Sequence, residues 1–266
     1  LTLFSNVNIL EARQIFQAEM EPATVVHLLY AVLLVAVSVQ LSSFATSIYL
    51  HRSLAHRGLY LNPVVAFPMR VQLWLATGIN PKEWVAVHRK HHRHTDVEGD
   101  PHSPVLEGLW QILFGNIYYY AREAHKKETV ETSAPDVGNG WLDRHFFRYG
   151  LLGVFCGIAI CMWLLGPVWG GIAFLVQAGT YIFFSAVVNG ANHALGSRNF
   201  ENTATNLQIV ALLTAGEGLH NNHHAYPTSA RFSIRRGEID PSWIVVKILS
   251  WLRLARPLKL APQLES

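Results

Sequence analysis

The sequence predicts an all-α integral membrane protein, with about three transmembrane helices and a polar helical cap that carries a histidine-rich metal site. Three observations lead there. Half of the 266 residues are hydrophobic and only 15% are charged, against about 25% in soluble domains. The charges are unevenly placed: none lies between Glu21 and Arg52, and none between Arg148 and Arg198. Among fourteen histidines, one spacing, H-x-x-H-H, occurs twice: His88, His91 and His92 in HRKHH, and His220, His223 and His224 in GEGLHNNHH.

Composition also excludes some classes. A formal net charge of +3, without a basic cluster, argues against a nucleic-acid partner. Cys156 and Cys161 both sit in an apolar run and read as small hydrophobes, without zinc or redox spacing. The chain reads as a single domain over residues 1–266.

Taken in order, Leu1–Glu21 mixes apolar residues with four charges and reads as an interfacial lead-in. The first span covers residues 24–49. As a helix of about 39 Å it exceeds a hydrocarbon core of about 30 Å, so it delivers His51 and His56 just beyond the bilayer. Leu59–Asn80 is apolar but broken by Pro63, Pro68 and Arg70. An arginine at mid-span is costly, so this stretch reads as interfacial or cavity-lining. The polar segment 51–148 also holds HRKHH, Asp100-Pro101-His102, a helical stretch Tyr118–Lys127 and a turn-rich loop Ser133–Gly140.

Residues 149–166 and 167–190 are two apolar runs joined at Gly166-Pro167, where one helix can end and the next begin. They read as a transmembrane hairpin whose second arm brings Asn189 and His193 to the depth of His51. Residues 193–266 form the second polar segment, in which Trp243–Leu254 is an amphipathic helix suited to the membrane surface. Twelve Lys and Arg fall in Arg52–Arg148 and eight in Arg198–Lys259, against one, Arg13, before the first span. The positive-inside rule therefore places both polar segments in the cytoplasm and the N-terminus outside.

Four groups converge on that face: His51 and His56; the HRKHH trio; Asn189 with His193; and the HNNHH trio. Residues at i, i+3 and i+4 share a helical face, so each trio can aim three imidazoles at one point. His51 and His56 are five apart, and can turn inward together only where the helix distorts. Neutral imidazole is a common ligand for iron, zinc, copper and nickel. Nine imidazoles exceed what one ion holds, since zinc takes four ligands and octahedral iron six; two metals fit the count.

HRSLAH, HRKHH and HNNHH, with NGANH between them, resemble the histidine boxes of the membrane fatty acyl desaturases, closest to the bacterial delta-9 type related to the stearoyl-CoA desaturases. WVAVHRKHH, EGDPHSP and GEGLHNNHHAYPTSAR also read like that family, and the likeness runs from about Tyr49 to Leu254. The chain departs from the animal relatives in showing one span, not two, before the first box. The resemblance implies an oxygen-dependent desaturase placing a cis double bond, of delta-9 type, in a saturated acyl chain carried on CoA or phospholipid. It implies two iron ions, with O2 as co-substrate. It implies His51, His56, His88, His91, His92, His193, His220, His223 and His224 as ligands, with Asn189 acting through a water. Outer partners orient ligating imidazoles through the far nitrogen. Glu83, Asp96, Asp100 and Glu217 are the candidate carboxylates for that role; Glu217, Asp100 and His102 are assigned to it, while for Asp96 and Glu83 surface charge is the preferred reading.

No nucleotide-binding G-x-G-x-x-G or iron–sulfur spacing occurs. Electrons therefore have to come from a separate ferredoxin-like carrier with an NAD(P)H reductase, steered by Arg89, Lys90, Arg93, Arg235 and Arg236. The resemblance places the protein in a membrane, the bacterial inner membrane, with the active site on the cytoplasmic face. Competing readings are a hydroxylase, ketolase or decarboxylase on the same type of centre, and a histidine-rich metal transporter. The transporter would need its ligands at mid-membrane, and here they lie past the helix ends.

Overall fold

Asn-Pro, Ser-Pro and Asp-Pro pairs set where helices start. Asn62, Asn80, Ser103 and Asp240 each turn a side-chain oxygen onto the backbone N–H groups of the helix that follows, and a proline occupies its first turn. Such a cap satisfies donors the helix leaves orphaned, and proline costs nothing where no N–H is needed. The computed structural model describes residues 22–264 except residue 139; the lead-in Leu1–Glu21 lies outside the described residues.

The described residues begin with α1 (Pro22–Ala45), which runs without a break into a π-helix (Thr46–Ala55). After β1 (Leu59–Leu61) come α2 (Pro63–Thr77), α3 (Pro81–His94), α4 (Pro104–Glu107), α5 (Leu109–Ala124) and α6 (Lys127–Ser133). The apolar pair is α7 (Gly150–Leu165) and α8 (Pro167–Gly190), and α8 passes into a 3-10 turn at Ala191–His193. Then follow α9 (Gln208–Leu213), α10 (His220–Ala225), α11 (Pro241–Trp251) and β2 (Ala255–Pro257).

The fold is helical as expected, with one addition. β1 pairs antiparallel with β2, Leu59 opposite Pro257 and Leu61 opposite Ala255. This clip ties the end of the first histidine segment to the C-terminal region. The expected helix over Trp243–Leu254 is α11, which stops at Trp251 so that the chain can enter β2. Leu59–Asn80 splits into β1 and α2, with Pro68 inside the helix. α2 packs on α1 and α7, and Arg70 is held by an ion pair to Asp143.

Two stretches, Thr24–Ala55 and Pro167–His193, are long and apolar enough to cross a membrane. The third, 149–166, is realised as the sixteen-residue α7, about 24 Å long and short of about 30 Å of hydrocarbon. The first helix also runs past residue 49, through the π-helix to Ala55.

α8 is the central helix, packed by α1, α5 and α7. Glycine makes the α7–α2 and α7–α8 contacts possible. A Cβ on Gly157 would stand 2.2 Å from the Leu75 carbonyl oxygen, and one on Gly170 would stand 2.3 Å from that of Cys161. Small residues allow helix backbones to approach in this way. Gly157→Val should therefore force α7 from α2 and lower the detergent-solubilised melting midpoint, at a cost of roughly 1–3 kcal/mol. Gly171→Val should be near neutral, because nothing lies within 4 Å of a Cβ there.

Candidate metal centre

The π-helix explains how His51 and His56 meet. Its bonds close from i to i+5, and His56 N–H donates to the His51 carbonyl at 3.0 Å. Residues five apart then lie nearly one above the other, and their ring centroids are 4.9 Å apart. The local distortion that the spacing required is present, and it extends over Thr46–Ala55.

Neither trio converges on a single point. One group of ligand atoms belongs to His51, His56, His88, His92 and His223, and a second to His91, His193, His220 and His224; a third, of His91, Asp100 and His102, overlaps the second at His91. Helical geometry gives the reason. At about 100° per residue, position i+4 falls about 40° from i, while i+3 falls about 60° to the other side. So His88 and His92 enter the first group and His91 the second. α10 repeats the division in reverse: His220 and His224 enter the second group and His223 the first. The two H-x-x-H-H segments thus interlock, each giving a pair to one group and a single ring to the other.

Within the groups, Nε2 atoms face one another. His223 Nε2 lies 3.0 Å from His51 Nε2 and 2.9 Å from His92 Nε2. His56 and His88 are 2.8 Å apart, and His220 and His224 3.1 Å. A neutral imidazole carries one N–H, so facing nitrogens cannot all be satisfied by hydrogen bonds among themselves. With metal–nitrogen bonds of about 2.1 Å, neighbouring ligands of an octahedral ion stand about 3.0 Å apart. The nitrogens present therefore fit metal, and five imidazoles in one group exceed the four-ligand zinc pattern.

Burial, then the charge of neighbouring histidines and arginines, pushes His56, His88, His92, His220, His223 and His224 well below the usual imidazole pKa. These rings stay neutral, with lone pairs available. In metal-stripped protein the unfolded chain then binds more protons than the folded one. Stability should fall as pH drops through about 6.5, and keep falling towards the depressed folded-state values. Thermal melts of stripped protein between about pH 8 and pH 5 check this; a midpoint independent of pH would contradict it.

Three carboxylates hold three rings from behind. Asp100 accepts from His91 Nδ1, both oxygens at 3.0 Å. Asp96 accepts from His193 Nδ1 at 2.8 Å. Glu217 contacts His51 Nδ1. Burial raises each carboxyl, but the imidazole partner together with the other donors and charges around it outweighs burial, and all three lie below their ordinary values. A carboxylate on Nδ1 fixes the tautomer that turns the Nε2 lone pair inward.

Asp96 read as surface charge, and here it is buried; its place in the turn directly after α3 folds it back under the rings. Glu217 serves His51 and not the nearby His220. His102 stacks on His91, centroids 4.7 Å apart, and neither of its ring nitrogens has a hydrogen-bond partner among the described residues. Burial foremost, then His91, lowers its pKa to about 3. Glu83 takes no ring and accepts from Asn80.

Arg52 was missed, having been counted with the positive flank. It is 1% exposed, places Nη2 3.0 Å from both oxygens of Asp240 and reaches Glu217 at 3.2 Å. Its guanidinium carbon lies 3.6 Å from the Phe232 ring centroid, and that ring touches His51 and His223. Its signal in the sequence was a lone charge at the end of thirty uncharged positions, directly after a histidine.

The proposed carrier patch is also revised. Arg89 binds Asp136 and the carbonyls of Leu54 and Ala55, and Lys90 pairs with Glu123. Both are bound into the fold. Arg93 donates to Ser133, while Arg235 and Arg236 are exposed.

Two cavities flank the rings. One of about 130 Å³ is lined by Ile79, Trp84, His88, Ile117, Tyr181 and Asn189, among others. The second, of about 60 Å³, shares Trp84, His88, Tyr181 and Asn189 and reaches His91, His220 and Glu217. Asn189 stands between them, its Nδ2 donating to Asn116 Oδ1 at 2.9 Å.

Two groups of imidazoles beside largely apolar cavities are a site suited to a metal-dependent oxidoreductase. The chain belongs to the fatty acid desaturase family, whose model matches residues 23–236. It is 33% identical to the Delta-9 desaturase-like 2 protein of Arabidopsis thaliana, across 79% of this chain and 70% of that protein. It is 33% identical to the sn-1 stearoyl-lipid 9-desaturase of Anabaena variabilis, across 79% and 77%. With the Acyl-CoA C20 Delta5-desaturase of Anemone leveillei it shares 32% identity, across 83% and 71%.

Proposed function

We propose that this protein inserts a cis double bond, of delta-9 type, into a saturated acyl chain carried on CoA or phospholipid, using O2 and two irons. The observation that carries the reading is the division of nine imidazoles into groups of five and four beside two cavities that share lining residues. The first group would hold one iron. The second would hold the other, with Asn189 completing it through a water. Two irons, when bound, would activate O2, the oxidant that an unactivated methylene requires and that no side chain can replace.

The chain's own residues do the rest. Asp96, Asp100 and Glu217 hold three rings in one tautomer. Ile79, Ile117 and Ile182 give the acyl chain an apolar path and keep water from the reacting carbons. Trp84, Tyr181 and Asn189 line both cavities, so a chain passing between them lies against His88.

Exposed apolar faces on α1, α7 and α8, such as Leu29, Leu151, Trp163 and Leu175, suit lipid. With the positive-inside rule they favour cytoplasmic boxes and an external N-terminus, α7 joining the two longer helices as a third, shorter membrane segment. Electrons come from a separate ferredoxin-like carrier. Lipids from an expressing host that makes no unsaturated fatty acids test the reaction. A monounsaturated acid with its double bond at carbon 9 supports it; a hydroxy acid would instead select the hydroxylase chemistry.

A further inference from the structure

The two asparagines inside HNNHH are not among the grouped ligands, and the helix that carries them is short. α10 spans six residues, and an isolated helix under about 12 residues is marginal in water. Yet α10 supplies three rings, two to one group and one to the other. Its rotation about its own axis therefore decides which ring reaches which group. At about 100° per residue, Asn222 lies about 200° around from His220, opposite the arc that the three histidines occupy.

Asn222 is 1% exposed, and it fills every hydrogen-bonding position of an amide, two donors and two acceptor lone pairs. Its Nδ2 donates to the Phe232 carbonyl at 2.9 Å and to Glu238 Oε2 at 2.8 Å. Its Oδ1 accepts from Asn199 Nδ2 at 2.8 Å and from Asn206 Nδ2 at 2.9 Å. These four partners come from both sides of α10 in sequence. Asn206 Oδ1 in turn accepts from the backbone N–H groups of Asn221 and Asn222, at 3.0 and 3.3 Å, donors that the first turn of a helix leaves orphaned. α10 has no side-chain cap of its own. Phe232, whose carbonyl Asn222 holds, packs its ring on His223 and His51, with centroids 4.6 and 5.4 Å away. Asn222 thus fixes both the helix that carries His223 and the ring against which His223 rests.

We infer that Asn222 is a positioning residue for the metal centre. It sets the rotation of α10 so that His223 enters the five-ring group while His220 and His224 enter the four-ring group. This rests on the metal-centre reading. A buried polar network rigidifies its surroundings when each member is satisfied, and a metal site works only when its ligands are held within about 0.5 Å of their productive geometry. The fold alone would be served as well by an apolar side chain at residue 222; orienting three rings between two groups needs directional bonds.

Cobalt(II), which takes imidazole ligands as iron(II) does, supplies the test. It is titrated into the metal-stripped full chain in detergent, where its visible absorption reads coordination geometry and its saturation curve reads affinity. Asn222→Asp keeps the side-chain shape and both accepted bonds, and removes both donated ones. Its cobalt spectrum should differ from the native one, and its affinity should fall about 10–100-fold. Asn222→Ser, which adds no charge, should show the same loss and carries the test if Asn222→Asp does not fold. Gly157→Val, which loosens the helices away from the rings, should lower the melting midpoint and keep the native cobalt spectrum. The inference is overturned if the residue 222 variants bind cobalt with native spectrum and affinity, or if Gly157→Val alters the spectrum equally at a comparable loss of midpoint. A native chain that takes up no cobalt would overturn the metal-centre reading, and the inference with it.

Discussion

His223→Ala should abolish desaturation while the protein still inserts in the membrane. His223 is fully buried, and its Nε2 faces both His51 and His92 at 2.9–3.0 Å, so one truncation opens the centre of the five-ring group. Changing a residue that merely supports a ligand costs about 10–100-fold in affinity or activity; loss of a ligand shared in this way should exceed that. His92→Ala should behave alike, because α3 offers no other ring to that position. Membrane fractionation and product analysis on the same preparations check both. Turnover near the native rate in either variant would remove that residue from the ligand set.

Arg52→Met should be the most damaging change outside the rings. It leaves Asp240 and Glu217 as buried carboxylates without their cation, and breaking a buried pair from one side costs about 3–5 kcal/mol. Asp240 also caps α11 and accepts from Phe232 N–H, so the C-terminal segment should loosen with it. Expected are a lower melting midpoint and reduced metal retention, with partial recovery when Asp240→Asn is added to Arg52→Met. If the midpoint of Arg52→Met equals that of the native chain, the network carries little of the fold.

The apolar helices and the clustering of nine histidines were legible because both rest on simple regularities: uncharged runs, and a spacing repeated twice. Even the awkward five-residue gap between His51 and His56 was informative, since it demanded a distorted helix and a π-helix is present. The division of each trio was equally implicit in the helical angle, yet spacing alone does not say what stands opposite. Only the approach of His223 to His92 and His51 makes His88, His92 and His223 one group. The supporting carboxylates were less legible. Asp96 and Asp100 lie in a turn whose path no periodicity describes, and Glu217 serves a ring 166 positions away in sequence. The β1–β2 clip joins segments nearly 200 residues apart through strands of three residues each, too short to carry an alternation signal.

Metal counting tests the central claim most directly. Native mass spectrometry of the purified, iron-loaded chain, with elemental analysis alongside, should find two iron ions per chain. His223→Ala should retain at most one, and so should His220→Ala, which opens the other group. A native chain that holds a single ion, or variants that keep two, would contradict the assignment of the nine histidines to paired iron sites.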